Sequence, residues 1–117
     1  MRITTEILES TALGRAAVIA PVGEVDMHES PRLREALIEA TAGRPAVVVV
    51  DLAGVTFIDS SGVATLVEAM KLAKAAGLTL VLCGMIDKVR DVFALARLDK
   101  FFRLAATRRE ALGLVPQ

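Results

Sequence analysis

The sequence predicts an α/β domain on a mixed central sheet with an antiparallel edge, and three observations carry that expectation. Val47-Val48-Val49-Val50 is apolar on consecutive residues, the pattern of a strand covered on both faces. A second such run, Leu78-Thr79-Leu80-Val81-Leu82, follows a helix-periodic segment; strands alternating with helices favour parallel neighbours joined by crossovers. The first two strand-like segments have no helix between them, so they pair as a hairpin at the edge.

In chain order, Ile3, Thr5 and Ile7 alternate with Arg2, Thr4 and Glu6, which suits a half-exposed edge strand, and Gly14 separates it from Ala16-Ala17-Val18-Ile19-Ala20. Ser30-Pro31 offers an N-cap followed by proline at the first helical position. Leu33, Ala36, Leu37 and Ala40 then form a stripe that Gly43 ends. Next comes the central strand Val47 to Leu52, followed by Val55-Thr56-Phe57-Ile58 running into Asp59-Ser60-Ser61-Gly62, where a helix must begin. That helix turns Val63, Leu66, Val67, Met70 and Ala73 inward and Thr65, Glu68, Lys71 and Lys74 outward, and Gly77 suits a left-handed cap. The strand Leu78 to Cys83 precedes a helix with Val89, Val92, Phe93 and Ala96 facing inward. Phe101 to Leu104 reads as a short strand, and the capping-box spacing of Thr107 and Glu110 predicts a last helix near Arg108 to Leu114.

Composition narrows the function. A chain of 117 residues is read as one domain, 1–117, large enough to bury its own core. Equal numbers of basic and acidic residues, 14 of each, leave no electrostatic footprint for nucleic acid, and the absence of Trp and Tyr removes an aromatic stacking platform. The basic residues of the C-terminal third, Arg108 among them, interleave with acidic ones and read as a solvated mixed surface. The N-terminus lacks the apolar core of a signal peptide and no run is long enough to span a bilayer, so a cytoplasmic protein without membrane insertion is expected. Cys83 is the only cysteine: it allows no internal disulfide, makes no credible metal site with the single His28, and reads as a buried small hydrophobe. No Gly-rich phosphate loop precedes a helix, and no cofactor is implied.

The chemistry concentrates at Asp59-Ser60-Ser61-Gly62. A hydroxyl in the first helical turn lies beside free backbone N–H groups and the positive end of the dipole, where added negative charge is tolerated. The bland reading is that these residues merely cap the helix. Capping needs only one of them: Asp59 or Ser60 can serve, which leaves Ser61 free to be modified, and Gly62 removes bulk from the path of a docking enzyme. Asp26, closing the second strand, either bonds turn amides or lies with Asp59 at the strand ends, where both can position the Ser61 hydroxyl or bind a partner's backbone. His28 reads as a surface residue and Met27, Met85 and Ile86 as partly buried, with a partner-binding patch the alternative for all four. A small hydrolase with Ser61 as nucleophile, His28 as base and Asp26 or Asp59 as orienter is a competing class; no Gly-x-Ser-x-Gly elbow supports it.

In Phe57-Ile58-Asp59-Ser60-Ser61-Gly62, together with Gly23-Glu24-Val25-Asp26, Asp51-Leu52 and Leu98-Asp99-Lys100-Phe101-Phe102, the chain resembles the STAS family, and within it the bacterial anti-sigma factor antagonists phosphorylated on serine. The likeness spans nearly the whole chain and implies a single STAS-like domain, with a mixed sheet and about four helices. It implies that Ser61, immediately before the glycine, accepts phosphate from an anti-sigma factor that is a serine kinase, and that Ser60 is its neighbour. It further implies that the unphosphorylated form frees a sigma factor by binding that kinase, and that a metal-dependent serine phosphatase resets the switch. The partner surface would comprise Asp26, Met27, His28, Asp59, Ser60, Gly62, Met85 and Ile86. The chain departs from the family at Met27-His28-Glu29, where members vary, and at Ala96-Arg97, which replaces a glycine often found there. STAS-like domains also serve as scaffold subunits of stress-signalling assemblies and of lipid transporters, which is the alternative role.

Overall fold

Apolar runs on both faces of the middle strands fix the architecture, because each face needs its own cover. The computed structural model describes residues 1–11 and 14–113. The elements run β1 (Arg2–Thr11), β2 (Gly14–Val25), α1 (Ser30–Ala42), β3 (Val47–Asp51), β4 (Val55–Ile58), α2 (Ser60–Ala75), β5 (Thr79–Cys83), α3 (Asp87–Leu95), β6 (Arg103–Ala105) and α4 (Arg108–Ala111). Strand order is β1-β2-β3-β5-β6, and β4 pairs with β2 off this path. β1 is antiparallel to β2, with Ile3 opposite Pro21, and the remaining pairs are parallel.

Successive strand residues feed two separate cores. Ala17, Ile19, Val48, Val50, Leu80 and Leu82 pack under α1, α2 and α3 through Leu33, Leu37, Leu66, Ala69, Val89 and Phe93. Their neighbours Ala16, Val18, Val47, Val49, Val81 and Cys83 form the opposite core with Ala111 and Leu112. Phe93 and Phe102 meet edge to face at 5.6 Å, closing the larger core beside β6.

Several expectations are corrected. The approach to the serines, Val55 to Ile58, which the sequence joined to the central strand, is a strand of its own: the chain turns after Asp51 and re-enters as β4 beside β2, the sixth strand of the sheet. Thr65 is buried, because its hydroxyl donates to the Ser61 carbonyl at 3.0 Å and so satisfies itself within the helix. Ala96 lies past the end of α3 and is exposed. The last strand begins at Arg103, and α4 ends at Ala111; Leu114 lies outside the described residues. Arg108 is no solvated charge, since its Nε donates to Asp51 Oδ2 at 2.9 Å and its terminal nitrogen lies 3.4 Å from Glu6, tying α4 to β3 and β1.

Two helix ends, at Gly77 and Thr107, follow the sequence. Gly77 takes φ +77, with its N–H donating to Lys74 O and that of Leu78 to Ala73 O, a Schellman closure of α2. The same pattern closes α3, with Arg97 at φ +59 in the left-handed position and Leu98 donating to Phe93 O at 2.8 Å. Glycine takes this conformation without strain, and an arginine bears the steric cost of it here. Thr107 caps α4, its hydroxyl accepting from the Glu110 N–H.

Candidate functional site

The parallel pairing of β2 with β4, Val25 opposite Ile58, ends both strands at one point and starts α1 and α2 side by side. The Asp59 N–H donates to Val25 O at 3.2 Å, which joins the two connections. Asp26 and Asp59 therefore do occupy one end of the sheet, and they divide the work.

Asp26 organises the β2–α1 turn. Its Oδ1 accepts from the amides of His28 and Glu29, both at 3.0 Å, and its carbonyl accepts from the Ser30 amide at 2.8 Å and the Ser30 hydroxyl at 2.7 Å. The Asp26 carboxylate is thus a turn brace. Its main-chain oxygen is what connects it toward Ser61.

Asp59 is the N-cap of α2, with extended φ and ψ. One oxygen, Oδ1, accepts from Ser61 N at 2.9 Å, Gly62 N at 3.1 Å and Ser61 Oγ at 2.6 Å. The Ser61 hydroxyl holds the Asp59 carboxyl below the usual carboxylate range; partial burial opposes this, and the amides of Gly62, Ser61 and Met27 add to it. Two expectations change as a result. Ser61 is not free, and the amides expected to await a phosphate are already taken by Asp59.

Ser30 is the residue that sequence reasoning misplaced. It is the first residue of α1 rather than the cap; Glu29 occupies the cap position with no side-chain cap bond. Pro31, lacking an N–H, fits the first turn beside it. The Ser30 side chain is only 5% exposed, and its Oγ lies 2.9 Å from Ser61 Oγ. A Ser-Pro at a helix start signals a cap in sequence; nothing local signals a contact 31 residues away.

Gly62 is required by packing. A Cβ there would meet Ile58 Cγ1 at 2.7 Å, Val25 Cγ1 at 2.8 Å and Val25 O at 3.0 Å, so only hydrogen lets α2 start this close to β2 and β4. Around Ser61, a groove of about 530 Å³ runs between the helices, lined by Met27, Pro31, Arg34, Ala64 and Thr65. On its rim Arg34 and Glu68 form a salt bridge at 2.8 Å linking α1 to α2. Ser60 is exposed and lines a second groove with Val63, Val67, Val92 and Leu98.

The remaining candidates separate. Met27 is 68% and Ile86 40% exposed, against the expectation of partial burial, because each lies in a connection outside the packed faces. His28 is on the surface as expected, and Met85 is buried in the larger core. Among the described residues no hydrogen bond joins the His28 imidazole to Ser61; the hydroxyl's partners are Asp59 and Ser30, which is not the base-to-nucleophile geometry of a triad. Nor do the described residues contain a cluster of His, Cys, Asp and Glu fit to hold a metal, or a helix long and apolar enough to cross a membrane.

The fold and this strand-to-helix site define a class. The model of the STAS domain matches residues 6–111, and the chain belongs to that family. It is 34% identical over 97 residues to the anti-sigma-F factor antagonist RsfB of Mycobacterium tuberculosis, covering 82% of this chain and 78% of that protein. It is 29% identical over 91 residues to the anti-sigma-B factor antagonist of Listeria monocytogenes, covering 78% of this chain and 80% of that one. The crystal structure of an anti-sigma factor antagonist from Mycobacterium paratuberculosis superposes with a TM-score of 0.76 at 32% identity, covering 99% of this chain and 96% of that one.

Proposed function

We propose that the protein is an anti-sigma factor antagonist, a cytoplasmic regulator and not an enzyme, whose binding is switched by phosphorylation of Ser61. The observation that carries the reading is Ser61 itself. Its hydroxyl sits at the joint start of α1 and α2, facing a groove and held by a carboxylate, in a chain whose relatives bear the antagonist name. Unphosphorylated, the protein binds an anti-sigma factor that is a serine kinase through the end of the sheet bearing Met27, His28, Ser60 and Ile86, and thereby frees the sigma factor.

Phosphorylation brings about two negative charges into the centre of that surface. Because Asp59 already occupies the helix amides, the phosphate gains little from the dipole and stands against a carboxylate. Charge then opposes docking directly. A metal-dependent serine phosphatase returns the protein to its binding form.

The test is affinity capture from the native host followed by phosphosite mapping. An ATP-binding kinase should co-purify and phosphorylate wild type and Ser60→Ala but not Ser61→Ala. Capture of a membrane transporter complex instead would favour the scaffold role, and phosphate on Ser60 in wild type would overturn the residue assignment.

A further inference from the structure

The four oxygens around Ser61 make three short contacts but share only two hydrogens. Ser30 Oγ lies 2.7 Å from Asp26 O and 2.9 Å from Ser61 Oγ, and Ser61 Oγ lies 2.6 Å from Asp59 Oδ1. A carbonyl and an ionised carboxylate only accept. The Ser61 hydrogen is committed to Asp59, the charged and closest partner. The Ser30 hydrogen therefore has two acceptors within reach and must choose between them.

Asp26 O does not depend on Ser30 Oγ, because it also accepts the Ser30 and Glu29 amides at 2.8 and 3.1 Å. Turning the Ser30 hydrogen toward Ser61 leaves no buried carbonyl unpaired. The side chain is buried and cannot swing out to water. Its only freedom is rotation of the hydroxyl between the two oxygens.

We propose that Ser30 is a hydrogen-bond donor to the phosphoacceptor oxygen, turning from Asp26 O to Ser61 Oγ as that oxygen gives up its own proton. The inference rests on Ser61 being the acceptor. In the transfer, the bond between Ser61 Oγ and the γ-phosphorus of a nucleoside triphosphate forms while the bond to the departing nucleoside diphosphate breaks. The Ser61 proton leaves along its hydrogen bond to Asp59 and passes to water. Negative charge develops on Ser61 Oγ as its proton leaves, and a donor already 2.9 Å away meets it by rotation of one hydroxyl alone. Ser30 thus belongs to the phosphoacceptor although 31 residues separate the two in sequence.

The experiment measures phosphoryl transfer from magnesium-ATP by the serine kinase recovered with this protein, at saturating concentrations of wild type, Ser30→Ala, Ser30→Thr and Ser30→Cys. Loss of a donor to a charged oxygen predicts a transfer rate lowered about ten- to a hundredfold in Ser30→Ala. Affinity for the kinase and melting temperature should stay near wild type, and Ser30→Thr should restore most of the rate. Ser30→Cys keeps the volume with a weak donor and should be slow; it decides the matter if Ser30→Ala fails to fold. Wild-type transfer rates in Ser30→Cys and Ser30→Ala would overturn the role of Ser30 alone. A wild-type protein that binds the kinase and takes no phosphate would overturn the acceptor reading beneath it.

Discussion

Ser61→Asp, the usual mimic of a phosphoserine, should destabilise this domain, although a carboxylate in a first helical turn is ordinarily favourable. The reason is Asp59, whose Oδ1 lies 2.6 Å from Ser61 Oγ and already bonds the Ser61 and Gly62 amides. The substitution deletes the hydroxyl that donates to Asp59 and sets a second carboxylate beside it. Two like charges about 4 Å apart repel by about 1 kcal/mol in water and about 4 kcal/mol at the effective dielectric of a protein surface. The helix dipole returns only about 0.3–1 kcal/mol. A net loss of about 1–3 kcal/mol follows, which for a domain of this size lowers the melting temperature by roughly 4–12 °C.

The pH dependence separates charge repulsion from mere loss of packing. In wild type, the folded Asp59 carboxyl titrates below its unfolded range, so it stabilises the fold above that range and the contribution is lost as pH falls through the folded value. In Ser61→Asp the paired carboxylates resist joint ionisation, which raises the pKa of one of them. Repulsion is then relieved by acid. The gap in melting temperature between wild type and variant should therefore narrow from pH 7 toward pH 4.5 and shrink in high salt. Thermal unfolding followed by circular dichroism measures both, and a variant as stable as wild type at pH 7, or a gap indifferent to pH and salt, would refute the reasoning.

Three further outcomes follow from the packing. Gly62→Ala forces a methyl group against Ile58 and Val25, and after the gain in helix propensity should cost about 1–2 kcal/mol by urea unfolding. Arg97→Gly removes a left-handed strain of about 1–2 kcal/mol but loosens the unfolded chain by about 0.4–1 kcal/mol, so a rise in melting temperature of a few degrees is expected. Burial, with Asp51 nearby, pushes the Cys83 thiol up to about 12, so native protein at pH 8 should not react with a thiol reagent until it is unfolded.

What the sequence revealed and what it hid have a common cause. Strands β2, β3 and β5 were legible because both faces are buried over a run of consecutive apolar residues, plainest in the four valines of β3. Gly77 and Thr107 were legible because a cap is a local act of a few residues. Strand β4 was not, since its four residues carry no pattern of their own and its partner is the far end of β2, Val25 facing Ile58 across the whole of α1 and β3. The Ser61 position was readable from its motif, yet its environment was not. Ser30 reaches it only because α1 and α2 start side by side, and that adjacency is a product of the β2–β4 pairing. Met27 was misjudged for the same reason: which way a residue faces at a strand end depends on the elements that converge there.

The central claim is that one phosphoryl group on Ser61 decides whether this surface binds its partner. Titration calorimetry of the co-purified anti-sigma factor against unphosphorylated protein, and against protein stoichiometrically phosphorylated on Ser61, measures it directly. Affinity should fall at least about tenfold on phosphorylation, a difference of about 1.4 kcal/mol or more. Equal affinity of the two forms would contradict the switch and leave a constitutive binding domain in its place.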